Sequence, residues 1–186
     1  MKKKISIAVD AMGGENAPEK NIDGLSIFLN KNKSNDDFII KLYGNKDKLT
    51  EEISKRKIQN NKVEIIHAEG IISEKETPLT AIKNSKNTSM WNAIKAQIDG
   101  NADISLSAGN TGVLLVISRM ILKTMKEVNK PALAGLWPSK KGMSVVLDLG
   151  ANIECDEKNL VDFSEMGSAL YKSIFPEQKP HVSLLN

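Results

Sequence analysis

A chain of 186 residues with 40% hydrophobic and 26% charged residues can bury a core of its own and has the composition of a soluble globular protein. Its net charge of +3 comes from lysines interleaved with acidic residues, and only 4% of residues are aromatic, which argues against a nucleic-acid-binding surface. The single cysteine, Cys155, excludes an internal disulfide. The apolar run 5–9 is too short for a signal peptide, and 113–122 is too short to span a bilayer. We therefore expect a cytoplasmic protein.

The first hundred residues alternate between apolar runs and segments with helical periodicity. Strands are predicted over residues 5–9, 38–43 and 63–67. Helices are predicted after an N-cap at Asn16, over residues 46–57, and from a cap at Asn87 or Thr88 to Gly100. Residues 69–86 are the least regular part of this half. We expect an ordered loop with one helical turn there.

The central stretch, residues 102–122, predicts a short buried strand at 104–107, a tight loop and then an apolar helix. Glycines in the loop let backbone amides approach a ligand closely, and the helix presents unpaired N–H groups at the positive end of its dipole. The glycines and short polar side chains of the loop are Ser107, Gly109, Asn110, Thr111 and Gly112. We predict a phosphate site, or alternatively a simple strand-to-helix turn with Asn110 or Thr111 as N-cap.

The remaining residues predict a hairpin and a final helix. The hairpin has strands at 132–137 and 144–147 joined by a turn at 138–142. The helix is stopped by Pro176, and residues 181–185 predict one more buried strand. The repeated strand–helix order predicts an α/β fold with a mostly parallel sheet, and residues 1–186 are interpreted as part of a single domain.

Three predicted strands end in comparable loops, at residues 10–14, 107–112 and 148–152. Ligands of open α/β sheets bind beyond the carboxyl ends of the strands, so parallel strands would bring these loops to one edge. The chain contains neither a dinucleotide-binding glycine fingerprint nor a Walker loop. A metal-binding acidic cluster is not visible either. We therefore expect no cofactor and no metal.

Four segments together carry a family resemblance. They are VDAMGGENAP at 9–18, SAGNTG at 107–112, PALAGLWP at 131–138, and LDLGANIEC followed by LVDFSEMGSALY within 147–171. These segments resemble, in family order, the acyl-ACP:phosphate acyltransferases of bacterial phospholipid synthesis, the PlsX family. The resemblance implies a three-layer α/β/α fold similar to the isocitrate and isopropylmalate dehydrogenases and to phosphotransacetylase.

The same resemblance implies an activity and its partners. A cytoplasmic homodimer would move a fatty acyl group from acyl carrier protein (ACP) to inorganic phosphate. The acyl phosphate would then pass to a membrane glycerol-3-phosphate acyltransferase. The full-length family is expected to associate peripherally with the membrane.

This chemistry requires phosphate close to a thioester and donors for the developing oxyanion, but no covalent protein nucleophile. The predicted catalytic residues are Asp10, Asn110, Asp148 and Asn152. The predicted phosphate- and substrate-binding residues are Gly13, Gly14, Ser107, Gly109, Thr111, Gly112 and Gly150. Asp10 and Asp148 are expected to position donors, or one of them accepts a proton. The alternative for both is a structural role as cap or turn residues.

Family members continue well past residue 186, so the chain is interpreted as a C-terminally truncated copy with an incomplete fold. Two alternatives to an active acyl-ACP:phosphate acyltransferase stay open. One is an inactive remnant of that enzyme. The other is a phosphotransacetylase-like enzyme that uses acyl-coenzyme A.

Overall fold

The computed structural model describes residues 4–58, 61–73, 75–140 and 142–185. Lys141, in the predicted turn at 138–142, lies outside the described residues. The chain divides after Lys123 into two compact units. The assignment of residues 1–186 to a single domain stays a prediction.

The first unit is built on one parallel sheet. Its strands are β1 (Ile5–Asp10), β2 (Phe38–Gly44), β3 (Val63–His67) and β4 (Ile104–Ser107). Its helices are α1 (Glu19–Lys31), α2 (Lys46–Lys55), α3 (Pro78–Asn84), α4 (Ser89–Ile98) and α5 (Thr111–Leu122). The strands lie in the order β3-β2-β1-β4 and every pairing is parallel. The predicted α/β class and parallel sheet are confirmed.

Helices cover both faces of this sheet. On one face, Ile22 of α1 and Leu49 of α2 pack with Leu42 in a continuous apolar cluster. On the other face, Ala93 of α4 packs with Ala8 of β1, and these small side chains bring the helix close to the sheet. Helix α5 packs in turn on α4. The arrangement confirms the predicted three-layer fold and places α4 over β1 and β4.

Strand β4 differs from the sequence-based expectation. It was predicted to be buried, but it pairs only with β1 among the described strands and lies at the sheet edge. Ile104 is 46% exposed and Leu106 is 51% exposed. An apolar run shows that a strand can be buried, but it does not reveal which neighbours cover the strand.

The helix boundaries follow the sequence signals closely. Thr88 caps α4, with its hydroxyl oxygen accepting from the Trp91 N–H, as predicted. The helical turn expected within 69–86 is α3, which Thr77 caps. Asn16 does not cap α1, because it adopts a left-handed φ of 57° and the helix begins only after Pro18.

The second unit contains the predicted hairpin and helix, but Pro138, Ser139 and Gly142 of the predicted turn belong to the strands. Strands β5 (Gly135–Ser139) and β6 (Gly142–Val146) pair antiparallel, and Asp156 caps α6 (Glu157–Ile174). The buried strand predicted at 181–185 is wrong, because these residues have no regular structure and their apolar side chains are largely exposed. Among the described residues, no helix combines the length and apolarity needed to cross a bilayer.

Helix α1 offers a direct test of this core. Ile22 is fully buried, whereas Ile27 on the same helix is 58% exposed. We expect Ile22→Ala to lower the free energy of unfolding by about 2–5 kcal/mol, because it leaves a cavity between α1 and the sheet. Ile27→Ala should change it by less than about 0.5 kcal/mol. Urea denaturation measures both, and equal losses would show that α1 is not packed as described.

Candidate active site

The first two predicted loops begin side by side. β1 and β4 are neighbours in parallel register, and Asp10 lies opposite Ser107 at their carboxyl ends. The Ser107 hydroxyl donates to Asp10 Oδ2 at 2.7 Å, and the Gly109 N–H donates to Ser107 Oγ at 3.1 Å. Asp10 is only 2% exposed. A buried carboxylate therefore links the loop after β1 to the loop after β4.

Glycines allow the two loops to pack this closely. A Cβ at Gly13 would lie 2.3 Å from Asp10 Oδ2, and a Cβ at Gly109 would lie 2.8 Å from Met90 Cε. Gly14 has a φ of 98°, and a Cβ there would lie 2.8 Å from the Ala108 carbonyl oxygen. A side chain at Gly14 would therefore overlap the loop after β4, one at Gly13 would overlap Asp10, and one at Gly109 would require Met90 to move.

The N-terminus of α5 supplies donors beside these loops. Asn110 is the N-cap of α5, since its Oδ1 accepts from the Val113 N–H at 3.1 Å. Within the described part of the chain, the N–H groups of Thr111 and Gly112 make no hydrogen bond. These two residues line an open depression of about 350 Å³. Unpaired helix amides together with the positive end of the helix dipole can hold an anion.

The side chains of this site are already engaged with the protein. Asn110 Nδ2 donates to the Glu76 carbonyl at 3.3 Å, so this side chain caps α5 through Oδ1 and holds the loop before α3 through Nδ2. The Ser107 hydroxyl proton is directed to Asp10, which also accepts from the Met12 N–H at 3.3 Å. The geometry thus makes the backbone amides the donors best placed for an anion. The predicted contacts of Ser107 and Asn110 with phosphate stay predictions.

Asn21 is a positioning residue that the sequence analysis missed. Its Nδ2 donates to the Ala11 carbonyl at 3.0 Å and to the Gly13 carbonyl at 2.9 Å. This one side chain, held on α1, fixes the path of the loop after β1. An asparagine inside a helix matches no motif. The only available signal was its position in the first turn of the helix that follows a glycine-rich loop.

The third predicted loop lies in the second unit. It follows β6, which pairs antiparallel with β5 and does not belong to the parallel sheet. The expectation that three parallel strands carry the three loops to one edge is therefore wrong, and the sheet-edge argument covers only the first two loops. Gly150 adopts a φ of 87° within this loop.

Asp148 organises the third loop. Its Oδ1 accepts from the N–H groups of Leu133 at 3.0 Å and Ala151 at 3.1 Å. Its Oδ2 accepts from the backbone N–H of Asn152 at 2.7 Å and from Asn152 Nδ2 at 2.9 Å. Burial raises the pKa of Asp148, but the hydrogen bonds outweigh burial and hold the pKa below its ordinary value.

Asn152 completes this loop, since its Nδ2 also donates to the Pro131 carbonyl at 2.8 Å. Both carboxylate oxygens of Asp148 are therefore occupied in holding the backbone. This geometry favours the turn-forming alternative for Asp148. The roles of Asp148, Gly150 and Asn152 toward a substrate stay predictions.

The loop contact after β1 can be tested with two glycine variants. We expect Gly13→Ala to lower the free energy of unfolding by about 1–3 kcal/mol, because its Cβ would overlap the buried carboxylate of Asp10. Gly24→Ala in α1 is the matched control, since a Cβ there meets no atom within 4 Å. Alanine at this helical position should raise stability by up to about 1 kcal/mol. Urea denaturation of both variants decides the matter, and a stable Gly13→Ala variant would contradict the close packing.

The hydrogen bonds to Asp148 predict an acid-sensitive contribution to stability. Because the pKa is lower in the folded state, the carboxylate stabilises the fold at neutral pH, and this stabilisation is lost as the pH falls through the folded pKa. We expect Asp148→Asn to have a lower Tm than the parent chain at about pH 7, with the difference shrinking toward about pH 3. Thermal melts across this range measure it, and a difference independent of pH would refute the role of the charge.

Comparisons with known proteins place the chain in a family. The model of a family described as fatty acid synthesis protein matches residues 5–186. A phosphate acyltransferase of Pelagibacter ubique is 50% identical over 186 residues, which cover 100% of this chain and 54% of the relative. One from Bradyrhizobium diazoefficiens is 38% identical over 187 residues, covering 100% of this chain and 52% of the relative. The chain spans about half the length of the curated relatives it matches.

A solved structure supports the fold. EutD phosphotransacetylase from Staphylococcus aureus aligns with a TM-score of 0.65 and 15% identity, covering 94% of this chain and 55% of that one. At this identity the likeness concerns the fold alone. The match of the family model over nearly the whole chain shows that the chain belongs to the fatty acid synthesis protein family, whose curated members similar to it are phosphate acyltransferases.

Proposed function

We propose that the protein transfers a fatty acyl group from acyl-ACP to inorganic phosphate and so makes an acyl phosphate. The observation that carries this proposal is the pair of interlocked loops after β1 and β4, beside the unpaired amides of Thr111 and Gly112. Such amides suit phosphate because they are neutral donors at a helix N-terminus. The names of the relatives support phosphate as the acceptor.

The proposed reaction needs positioning more than acid–base chemistry. An oxygen of hydrogen phosphate attacks the thioester carbonyl carbon, a C–O bond forms, and the C–S bond breaks. The proton of hydrogen phosphate ends on the departing sulfur, so the products are an acyl phosphate and a free thiol. Amides that hold phosphate in a fixed orientation lower the entropic cost of this encounter. Neutral donors near the carbonyl oxygen stabilise the negative charge that develops there.

In this proposal the buried Asp10 has a positioning role. Its carboxylate accepts the hydrogen bond from the Ser107 hydroxyl, and this orientation lets the Ser107 oxygen accept from the Gly109 N–H. That contact shapes the loop that leads into α5. The phosphate donors are the amides of Thr111 and Gly112, while Gly13 and Gly14 keep the neighbouring loop close.

The proposal includes the partners that the family resemblance implies. The active form is a cytoplasmic homodimer that accepts acyl-ACP and passes its product to a membrane glycerol-3-phosphate acyltransferase. Peripheral association with the membrane keeps the acyl phosphate near that acceptor.

Turnover of a long-chain acyl-ACP by the 186-residue chain, with and without phosphate, tests this function. Acyl phosphate and released thiol are both measured. We expect phosphate-dependent product, and we expect Ser107→Ala to lower kcat/KM for phosphate by about tenfold or more, since a hydrogen bond to a charged group contributes about 1.5–3 kcal/mol. Ser105→Ala is the matched control, because Ser105 lies two residues earlier on β4 and contacts Gln97 instead.

Three outcomes would contradict the proposal. The first is a folded chain, verified by circular dichroism, that forms no acyl phosphate. The second is equal loss of activity in the two serine variants, which would remove the specific role of the Asp10–Ser107 link. The third is turnover of acyl-coenzyme A but not of acyl-ACP. In that case the acyl donor would be acyl-coenzyme A, as in a phosphotransacetylase-like enzyme.

A further inference from the structure

A groove on the α4 side of the sheet is not used by the proposed phosphate site. Helix α4 packs over β4, β1 and part of β2, and leaves the outer part of this face open toward β3. The resulting groove has a volume of about 710 Å³, within the range of small-molecule sites. The side chains used in the argument below are Lys41, Tyr43, Lys86, Trp91, Asn92 and Lys95.

Tyr43 presents a polar atom to this groove. The residue is only 6% exposed, and within the described part of the chain its hydroxyl makes no hydrogen bond. Since no fully buried side-chain polar atom in that part lacks a partner, the hydroxyl oxygen must open into the groove. Burial, together with the nearby charges of Asp99 and Glu64, raises the pKa of Tyr43, so the hydroxyl is a donor at neutral pH.

The charges along the groove favour an anionic ligand. Lys41, Lys86 and Lys95 line the groove together with Asp99, and Glu64 lies opposite Lys41 on β3, so the lysines exceed the carboxylates by one. Lys41 Nζ donates to the Asn101 carbonyl at 2.8 Å, and Lys95 pairs with Asp99. An ammonium group has three donors, so both lysines retain N–H groups for a ligand. Lys86 adds a further positive charge at the end of the groove where α4 begins.

The remaining walls suit an extended chain rather than a compact ion. Trp91 and Ile66 supply apolar surface, and Asn92 supplies an amide. The ten residues of α4 give the groove a wall of about 15 Å. The first turn of α4 also carries Met90, which lies against Gly109 of the candidate phosphate site. One end of the groove, at Trp91, therefore lies across the first turn of α4 from that site.

We propose that this groove binds the phosphopantetheine arm that bears the acyl thioester. The arm's phosphate group is placed between Lys41 and Lys95, and its amides face Tyr43 and Asn92. Its sulfur end is directed toward the first turn of α4. The proposal rests on the proposed function, because an acyl group delivered to phosphate arrives on such an arm. Carrier protein and coenzyme A share this arm, so the groove itself recognises either source.

The fluorescence of Trp91 reports binding directly. The chain has two tryptophans, and Trp137→Phe leaves Trp91 as the single probe. We expect titration with 4′-phosphopantetheine to give a saturable change in this signal. Pantetheine without the phosphate should bind about tenfold more weakly, because the lysines then lack their ionic partner.

Variants separate the groove from the rest of the surface. Tyr43→Phe removes only the hydroxyl and should raise the Kd about fivefold to tenfold. Lys41→Met and Lys95→Met should each raise it by at least about tenfold. Lys48→Met is the matched control, because α2 packs on the opposite face of the sheet, and it should leave the Kd unchanged. Circular dichroism confirms that each variant is folded.

The proposal is overturned if the Trp91 signal does not change, if Tyr43→Phe binds like the parent, or if the phosphate-free arm binds equally well. Holo-carrier protein and coenzyme A are then added as competitors of 4′-phosphopantetheine. Displacement by either competitor supports binding of the arm in the groove and identifies the source of the arm. Displacement by neither overturns the proposal. The titration contains no inorganic phosphate, so failed turnover with intact arm binding would refute the proposed function alone.

Discussion

The contact between the buried Asp10 carboxylate and the Ser107 hydroxyl is the constraint on which the candidate site depends. It joins residues that are 97 positions apart in sequence but lie at the ends of neighbouring strands, at the same edge of the sheet. A buried carboxylate without a donor is costly, so the fold holds Ser107 in place. Gly13 and Gly14 follow from this contact, because a Cβ at either position would overlap Asp10 or the loop after β4. Asn21 then fixes the first loop from the helix behind it.

The sequence could predict those features that are encoded locally. The Thr88 cap of α4 and the end of α6 before Pro176 are each set by residues within a few positions of one another. Glycine-rich loops after apolar runs likewise marked Asp10 and Ser107 before their contact was known. The sequence predicted Asn110 or Thr111 as the alternative N-cap of α5, and the structure assigns the cap to Asn110.

Features set by partners distant in the chain were not predictable in the same way. The exposure of Leu106 follows from the place of β4 at the edge of the sheet, and strand order is not encoded in a four-residue apolar run. The loop at Asp148 resembles the other two in sequence, yet β6 pairs with β5 in a separate sheet. The groove beside Tyr43 was missed because its lining residues come from β2, β3 and α4 and share no motif.

The first unit has two kinds of hydrogen-bond donor for anions, and these donors differ in charge and in mobility. Beside the loops after β1 and β4 the donors are backbone amides, which are fixed, neutral and unable to lose a proton. Along α4 the donors are lysine ammonium groups, which are flexible and attract charge from a distance. Fixed amides suit a small anion that must react in one orientation, whereas lysines suit a long ligand that must be captured and then released. Helix α4 separates the two, with Met90 against one and Trp91 in the other. Movement of the first turn of α4 would therefore affect the candidate phosphate site and the groove at the same time.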